Sequence, residues 1–88
     1  MKSFTAEIID PVGLHARPAT IAVSVASKFK SDVTISFDGQ EVNMKSILNI
    51  ISLGATPGAM ITIKTDGEDE EEALETIKET LQAQKVIA

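Results

Sequence analysis

In Val33-Thr34-Ile35-Ser36-Phe37-Asp38-Gly39-Gln40-Glu41-Val42-Asn43 the apolar Val33, Ile35 and Phe37 alternate with polar residues up to an Asp-Gly pair, and Gln40–Asn43 follow it. Period-two alternation marks a strand with one buried face, and a two-residue Asp-Gly connection favours the tight turn that folds such a strand back on itself. The stretch therefore predicts a β-hairpin, residues 33–37 returning as 40–43. Outward from it, residues 4–8 and 60–65 alternate in the same way, Ile61 and Ile63 sharing a face. Helical spacing fills the intervals. From Pro18, the residues Ala22, Val25, Ala26 and Phe29 form one stripe that Ser31-Asp32 interrupts. Residues 47–53 form a short helix stopped at Gly54 and followed by the loop Thr56-Pro57-Gly58. After the Asp66-Gly67 turn, a last helix over residues 69–84 carries Ala73, Leu74, Ile77 and Leu81 on one face. The order β-α-β-β-α-β-α, four half-apolar strands and three amphipathic helices, predicts one domain over residues 1–88, an α+β two-layer sandwich.

Composition narrows the function. With 3% aromatic residues and neither Trp nor Tyr, the core must be built from Ile, Val, Leu and Ala, and stacking platforms for nucleic acid are scarce. A net charge of −5 also argues against a nucleic-acid partner. The charge is uneven: residues 66–88 carry eight acids against two lysines, residues 1–65 five acids against six bases. The acidic run over residues 68–72 suits the positive end of a helix dipole and a solvated face better than a metal site. Without cysteine, and with a single histidine, there is no disulfide framework, thiolate site or His-pair metal motif. Met1-Lys2-Ser3-Phe4 leads straight into mixed polar and apolar residues, so a soluble, cytoplasmic protein with no membrane insertion is expected.

The one histidine and the one arginine stand two residues apart in Gly13-Leu14-His15-Ala16-Arg17-Pro18-Ala19-Thr20. Imidazole keeps a large neutral fraction near pH 7, so a ring nitrogen of His15 can attack a phosphoryl group. Pro18 suits the first turn of a helix, where its missing N–H costs nothing, and the helix is then expected to start just after the histidine. The free N–H groups of that turn, expected at Ala16, Arg17 and Ala19, favour an anion together with the helix dipole. Arg17 adds a guanidinium fork that matches phosphate oxygens. Gly13, after Asp10-Pro11-Val12, permits a turn that lifts the histidine out of the preceding strand.

Ser46 sits where the cap of the second helix belongs. At roughly 100° per residue one face of that helix cannot bury Ile47, Leu48, Ile50, Ile51 and Leu53 together. With Ile50 and Leu53 inward, Ile47, Leu48 and Ile51 form an apolar patch suited to docking.

The octapeptide around His15 closely resembles the active-centre motif of the histidine-containing phosphocarrier (HPr) family of the bacterial phosphoenolpyruvate-dependent sugar phosphotransferase system. Asn43-Met44-Lys45-Ser46-Ile47-Leu48 resembles that family's regulatory serine site, at the family's separation from the first motif. The resemblance covers essentially the whole chain. It implies an open-faced sandwich with an antiparallel sheet. It also implies a carrier without independent turnover, whose His15 accepts a phosphoryl group on Nδ1 from Enzyme I and passes it to sugar-specific Enzyme II components. Arg17 and the backbone of Ala16 and Arg17 would stabilise the phosphate, and Thr20, Ile47, Leu48 and Ile51 would dock partners. No cofactor is implied beyond phosphoenolpyruvate as the indirect phosphoryl source, and a carrier with several partners is most simply a monomer. Ser46 would be the target of an HPr kinase/phosphorylase, its phosphorylated form binding a transcriptional regulator. Asn49 departs from the small residue usual in members so regulated. Three other readings stay open: a nitrogen-related or regulatory paralogue, an interaction module with an incidental histidine, and a hydrolase with Asp10 as the only nearby acid.

Overall fold

The Asp38-Gly39 turn sets the sheet. In a computed structural model that describes Met1–Ala88, both turn residues have positive φ, 52° and 83°. That two-residue turn matches the right-handed twist of its flanking strands. It joins β2 (Asp32–Phe37) to β3 (Gln40–Asn43), pairing Phe37 with Gln40 and Ile35 with Val42. The other strands are β1 (Lys2–Glu7) and β4 (Met60–Asp66), and the helices are α1 (Ala16–Ala26), α2 (Ile47–Ser52) and α3 (Glu70–Ala83). The four strands form one antiparallel sheet in the order β1-β4-β2-β3.

Register explains the two layers. Phe4, Ile63, Ile35 and Val42 line up across all four strands, and Ile63 and Ile35 are buried beneath the helices. One residue along, Thr5, Thr62, Ser36 and Glu41 line up on the opposite face. That face is polar, with Thr5 and Thr62 sharing a 2.9 Å hydroxyl hydrogen bond and Lys64 paired to Glu41 at 3.1 Å. A sheet with one apolar and one polar face needs only one covering layer. The result is the open-faced sandwich, its core closed by Ile50, Ala73, Ile77 and Leu81 from the helices.

Two boundaries and one buried segment differ from the sequence pattern. β1 is Lys2–Glu7 rather than 4–8, because the Ile8 N–H turns to the Ala59 carbonyl at 2.8 Å and Ile8 bridges Ile87 instead. α1 stops at Ala26, so Phe29 packs on the core from the following turn and not from the helix. Tertiary anchors hold that turn: Lys45 Nζ donates to the Phe29 carbonyl at 2.8 Å, and the Asp69 carboxylate accepts the N–H groups of Lys30 and Ser31, both at 2.9 Å. Val86 and Ile87 are also buried core residues, tied to β1 by Ile9 N–H to Val86 O and Ala88 N–H to Glu7 O, both 3.0 Å. So short an apolar tail shows no period that would reveal it.

The acids at the start of α3 serve as ties. Glu70 accepts from the N-terminal ammonium of Met1 at 2.9 Å and from Gly67 N–H at 3.2 Å, and Lys2 lies 3.5 Å from Glu71. No helix is long and apolar enough to cross a membrane.

Candidate functional site

The histidine is delivered by a turn that closes twice on Asp10. The Gly13 N–H donates to the Asp10 carbonyl and the Val12 N–H to Asp10 Oδ1, each at 3.0 Å. Gly13 has φ +85° and lies so close to the next loop that a Cβ there would stand 2.5 Å from the Ala55 carbonyl oxygen. Glycine is required on both counts. That approach lets Leu14 donate its N–H to the same oxygen at 3.0 Å and bury its side chain, which anchors the segment just before His15.

His15 is the N-cap of α1, in extended conformation. Its carbonyl accepts the Ala19 N–H at 3.0 Å, the first bond of the helix. Ala19 is therefore removed from the set of free donors: its N–H lies one turn in and already has its partner. Pro18 sits buried in the first turn without an N–H to satisfy. The N–H groups of Ala16 and Arg17 have no acceptor within the protein. Two free donors at the positive end of an 11-residue helix, without an acid in its first turn, favour negative charge there.

The side chains converge there. His15 is 38% exposed and Arg17 59%, while Asp10 between them is buried. Asp10 Oδ1 lies 3.2 Å from His15 Nε2, and Oδ2 lies 3.7 Å from Arg17 Nη1. The Val12 N–H, the His15 ring and the Arg17 charge hold the Asp10 carboxyl below the usual carboxylate range, outweighing the opposite effect of burial. An ionised Asp10 has no proton to give, which removes the general acid that a hydrolase would need. None of the surface concavities is lined by His15; one lies between β1 and α3, around Phe4 and Lys78. Sequence pattern alone undervalued Asp10. The signal was the Asp-Pro-x-Gly turn, which returns the side chain of residue 10 to residue 15.

The second motif lies in the adjoining helix, since α1 packs on α2. Ser46 caps α2, its hydroxyl accepting the Asn49 N–H at 3.3 Å. Ile50 and Leu53 point inward, whereas Leu48 is 79% exposed and Ile47 and Ile51 are partly exposed. Thr20 is exposed one turn along α1, donating its hydroxyl to the Ala16 carbonyl at 2.7 Å.

The chain also matches known proteins. A family model described as the PTS HPr component phosphorylation site matches residues 2–83. The chain is 57% identical to the phosphocarrier protein HPr of Mycoplasma genitalium, the match covering 99% of this chain and 100% of that one. Its fold superposes on a solved Mycoplasma histidine-containing phosphocarrier protein with TM-score 0.94 and 42% identity over 98% of both chains. An HPr from Thermoanaerobacter tengcongensis, solved as a dimer, matches with TM-score 0.75 and 42% identity over 96% of this chain and 97% of that one.

Proposed function

The chain belongs to the HPr family, the phosphocarrier components of the phosphotransferase system, and from that premise we propose that His15 is its phosphoryl acceptor. A phosphohistidine on Enzyme I presents the group, the Nδ1 lone pair of His15 forms the new P–N bond, and the old P–N bond breaks with its electrons returning to the Enzyme I ring. The same exchange in the forward direction hands the group to a sugar-specific Enzyme II component. Phosphoryl transfer depends mainly on alignment and charge stabilisation, so little further machinery is needed. Arg17 and the free N–H groups of Ala16 and Arg17 supply the charge term. The observation that carries this reading is the half-exposed imidazole at the cap of a helix whose first donors are free. The protein works without a cofactor of its own, phosphoenolpyruvate being the indirect source of the group, and as a monomer.

Docking follows from the neighbouring surface. Ile47, Leu48 and Ile51, with Thr20 at the rim, form the apolar centre of a small transient interface. Ser46 at its edge is the regulatory position. A phosphate there adds about −1.5 to −2 charge, which its own helix N-terminus tolerates and an apolar or acidic partner surface does not. An HPr kinase/phosphorylase would install it and a transcriptional regulator would read it.

The test is reconstitution. Enzyme I, phosphoenolpyruvate, Mg²⁺ and membranes bearing an Enzyme II should phosphorylate sugar only when the wild-type chain is added. Equal sugar phosphorylation with His15→Ala would overturn the reading.

A further inference from the structure

The carboxylate behind the histidine has more to do than hold a turn. Asp10 is buried, it spends Oδ1 on the Val12 N–H, and it still faces His15 Nε2 at 3.2 Å. Being ionised, it can only accept, so the proton of the neutral ring is on Nε2 and the lone pair is on Nδ1. Nothing in the protein hydrogen-bonds to Nδ1, and the His15 side chain is 38% exposed.

We propose that Asp10 is a positioning residue for phosphoryl transfer: it reserves Nδ1 as the nucleophile by holding the Nε2–H, and it balances the positive charge the ring acquires once Nδ1 is phosphorylated. This rests on the carrier reading above and assigns the choice of nitrogen to a residue of this chain. In the step itself the Nδ1 lone pair forms the P–N bond, the donor ring leaves with the electrons of the old bond, and the Nε2 proton stays in place between the ring and Asp10. The phosphorylated ring is cationic, and its counter-charge is already buried 3.2 Å away. Hydrogen bonds of this kind in a free protein commonly tighten in the reacting complex. The second oxygen of Asp10 faces Arg17 Nη1 at 3.7 Å, so one carboxylate orients both the nucleophile and the cation that meets the phosphate.

Two variants separate the functions. Asp10→Asn keeps an Oδ1 for the Val12 N–H, and therefore the turn, but removes the charge. Asp10→Ala removes both. On uniformly ¹⁵N-labelled proteins above the pH of ring protonation, the imidazole nitrogen shifts report which nitrogen carries the proton, independently of any transfer. Wild type should show a protonated Nε2 and a bare Nδ1, and in Asp10→Ala the two signals should move toward each other. Transfer from phosphorylated Enzyme I should slow in both variants, and more in Asp10→Ala, which loses the Nε2–H acceptor as well as the charge; a drop of about 10–100-fold there would match the loss of the carboxylate that orients a metal-bound histidine. The exchange equilibrium between phosphorylated Enzyme I and the chain should shift back toward Enzyme I in Asp10→Asn, because the counter-charge to the cationic ring is gone. Unchanged nitrogen shifts in Asp10→Ala, or transfer by folded Asp10→Asn at the wild-type rate and equilibrium, would overturn the proposal while leaving the carrier reading intact. A wild-type chain that accepts no phosphoryl group would overturn both.

Discussion

Gly13→Ala should uncouple the histidine loop from the fold. The substitution meets two separate costs. A residue with a Cβ held near φ +85° loses about 1–2 kcal/mol. The new Cβ also stands 2.5 Å from the Ala55 carbonyl oxygen and 3.1 Å from the Thr56 Cα, so backbone must retreat on one side or the other. Retreat breaks the 3.0 Å bond from Leu14 N–H to Ala55 O, leaving a buried donor unpaired at a further cost of about 1–3 kcal/mol. The sum, about 2–5 kcal/mol, is a large share of the stability of a small domain. Gly39→Ala is the control, because Gly39 has φ +83° and nothing within 4 Å of a built Cβ. It should lose only the conformational part, about 1–2 kcal/mol. Urea unfolding of the two variants gives the difference directly, and transfer from Enzyme I should slow in Gly13→Ala alone. Equal destabilisation of the two variants would refute the packing argument.

Other expectations concern separate parts of the molecule. Ile50→Ala, at a fully buried position of α2, should cost about 2–5 kcal/mol. Leu48→Ala, 79% exposed on the same helix, should leave the urea midpoint nearly unchanged and weaken binding to Enzyme I measured by titration calorimetry. Ser46→Ala should lose about 1 kcal/mol of capping yet accept a phosphoryl group on His15 at the wild-type rate, while Ser46→Asp should bind partners more weakly with its circular dichroism spectrum preserved. Asp69 is held at about 2, first by the Ser31 hydroxyl and then by the Lys30 N–H. Its folded value lies below the ordinary 3.8, so its contribution to stability is full above about pH 4 and is lost as pH falls toward 2. Asp69→Asn should be less stable near neutrality and show a flatter urea midpoint across that window.

Where periodicity is strong, the sequence reads through to the structure. The Asp38-Gly39 hairpin, the split faces of α2 and the start of α1 at His15 all follow from local pattern, because each is decided within a few residues of chain. Strand order is different. β4 lies between β1 and β2, a placement settled by which apolar faces meet across distant parts of the chain, and the family resemblance rather than periodicity indicated an antiparallel sheet. The burial of Val86 and Ile87 and the end of α1 before Phe29 depend on tertiary partners in the same way. Within the site, His15 and Arg17 announce themselves by residue type and spacing. Asp10 does not, since an aspartate before a proline reads as a turn residue until the turn is closed and its carboxylate is seen against the ring. The donor set shrank to Ala16 and Arg17 because Ala19 lies far enough into the helix to bond His15.

Whether His15 carries a phosphoryl group can be read from intact mass. Wild type and His15→Ala would each be incubated with phosphoenolpyruvate, Mg²⁺ and an Enzyme I shown to be active on a known carrier. An acid-labile gain of ~80 Da, one phosphoryl group, is expected in wild type alone. No gain in wild type, or the same gain in His15→Ala, would contradict it.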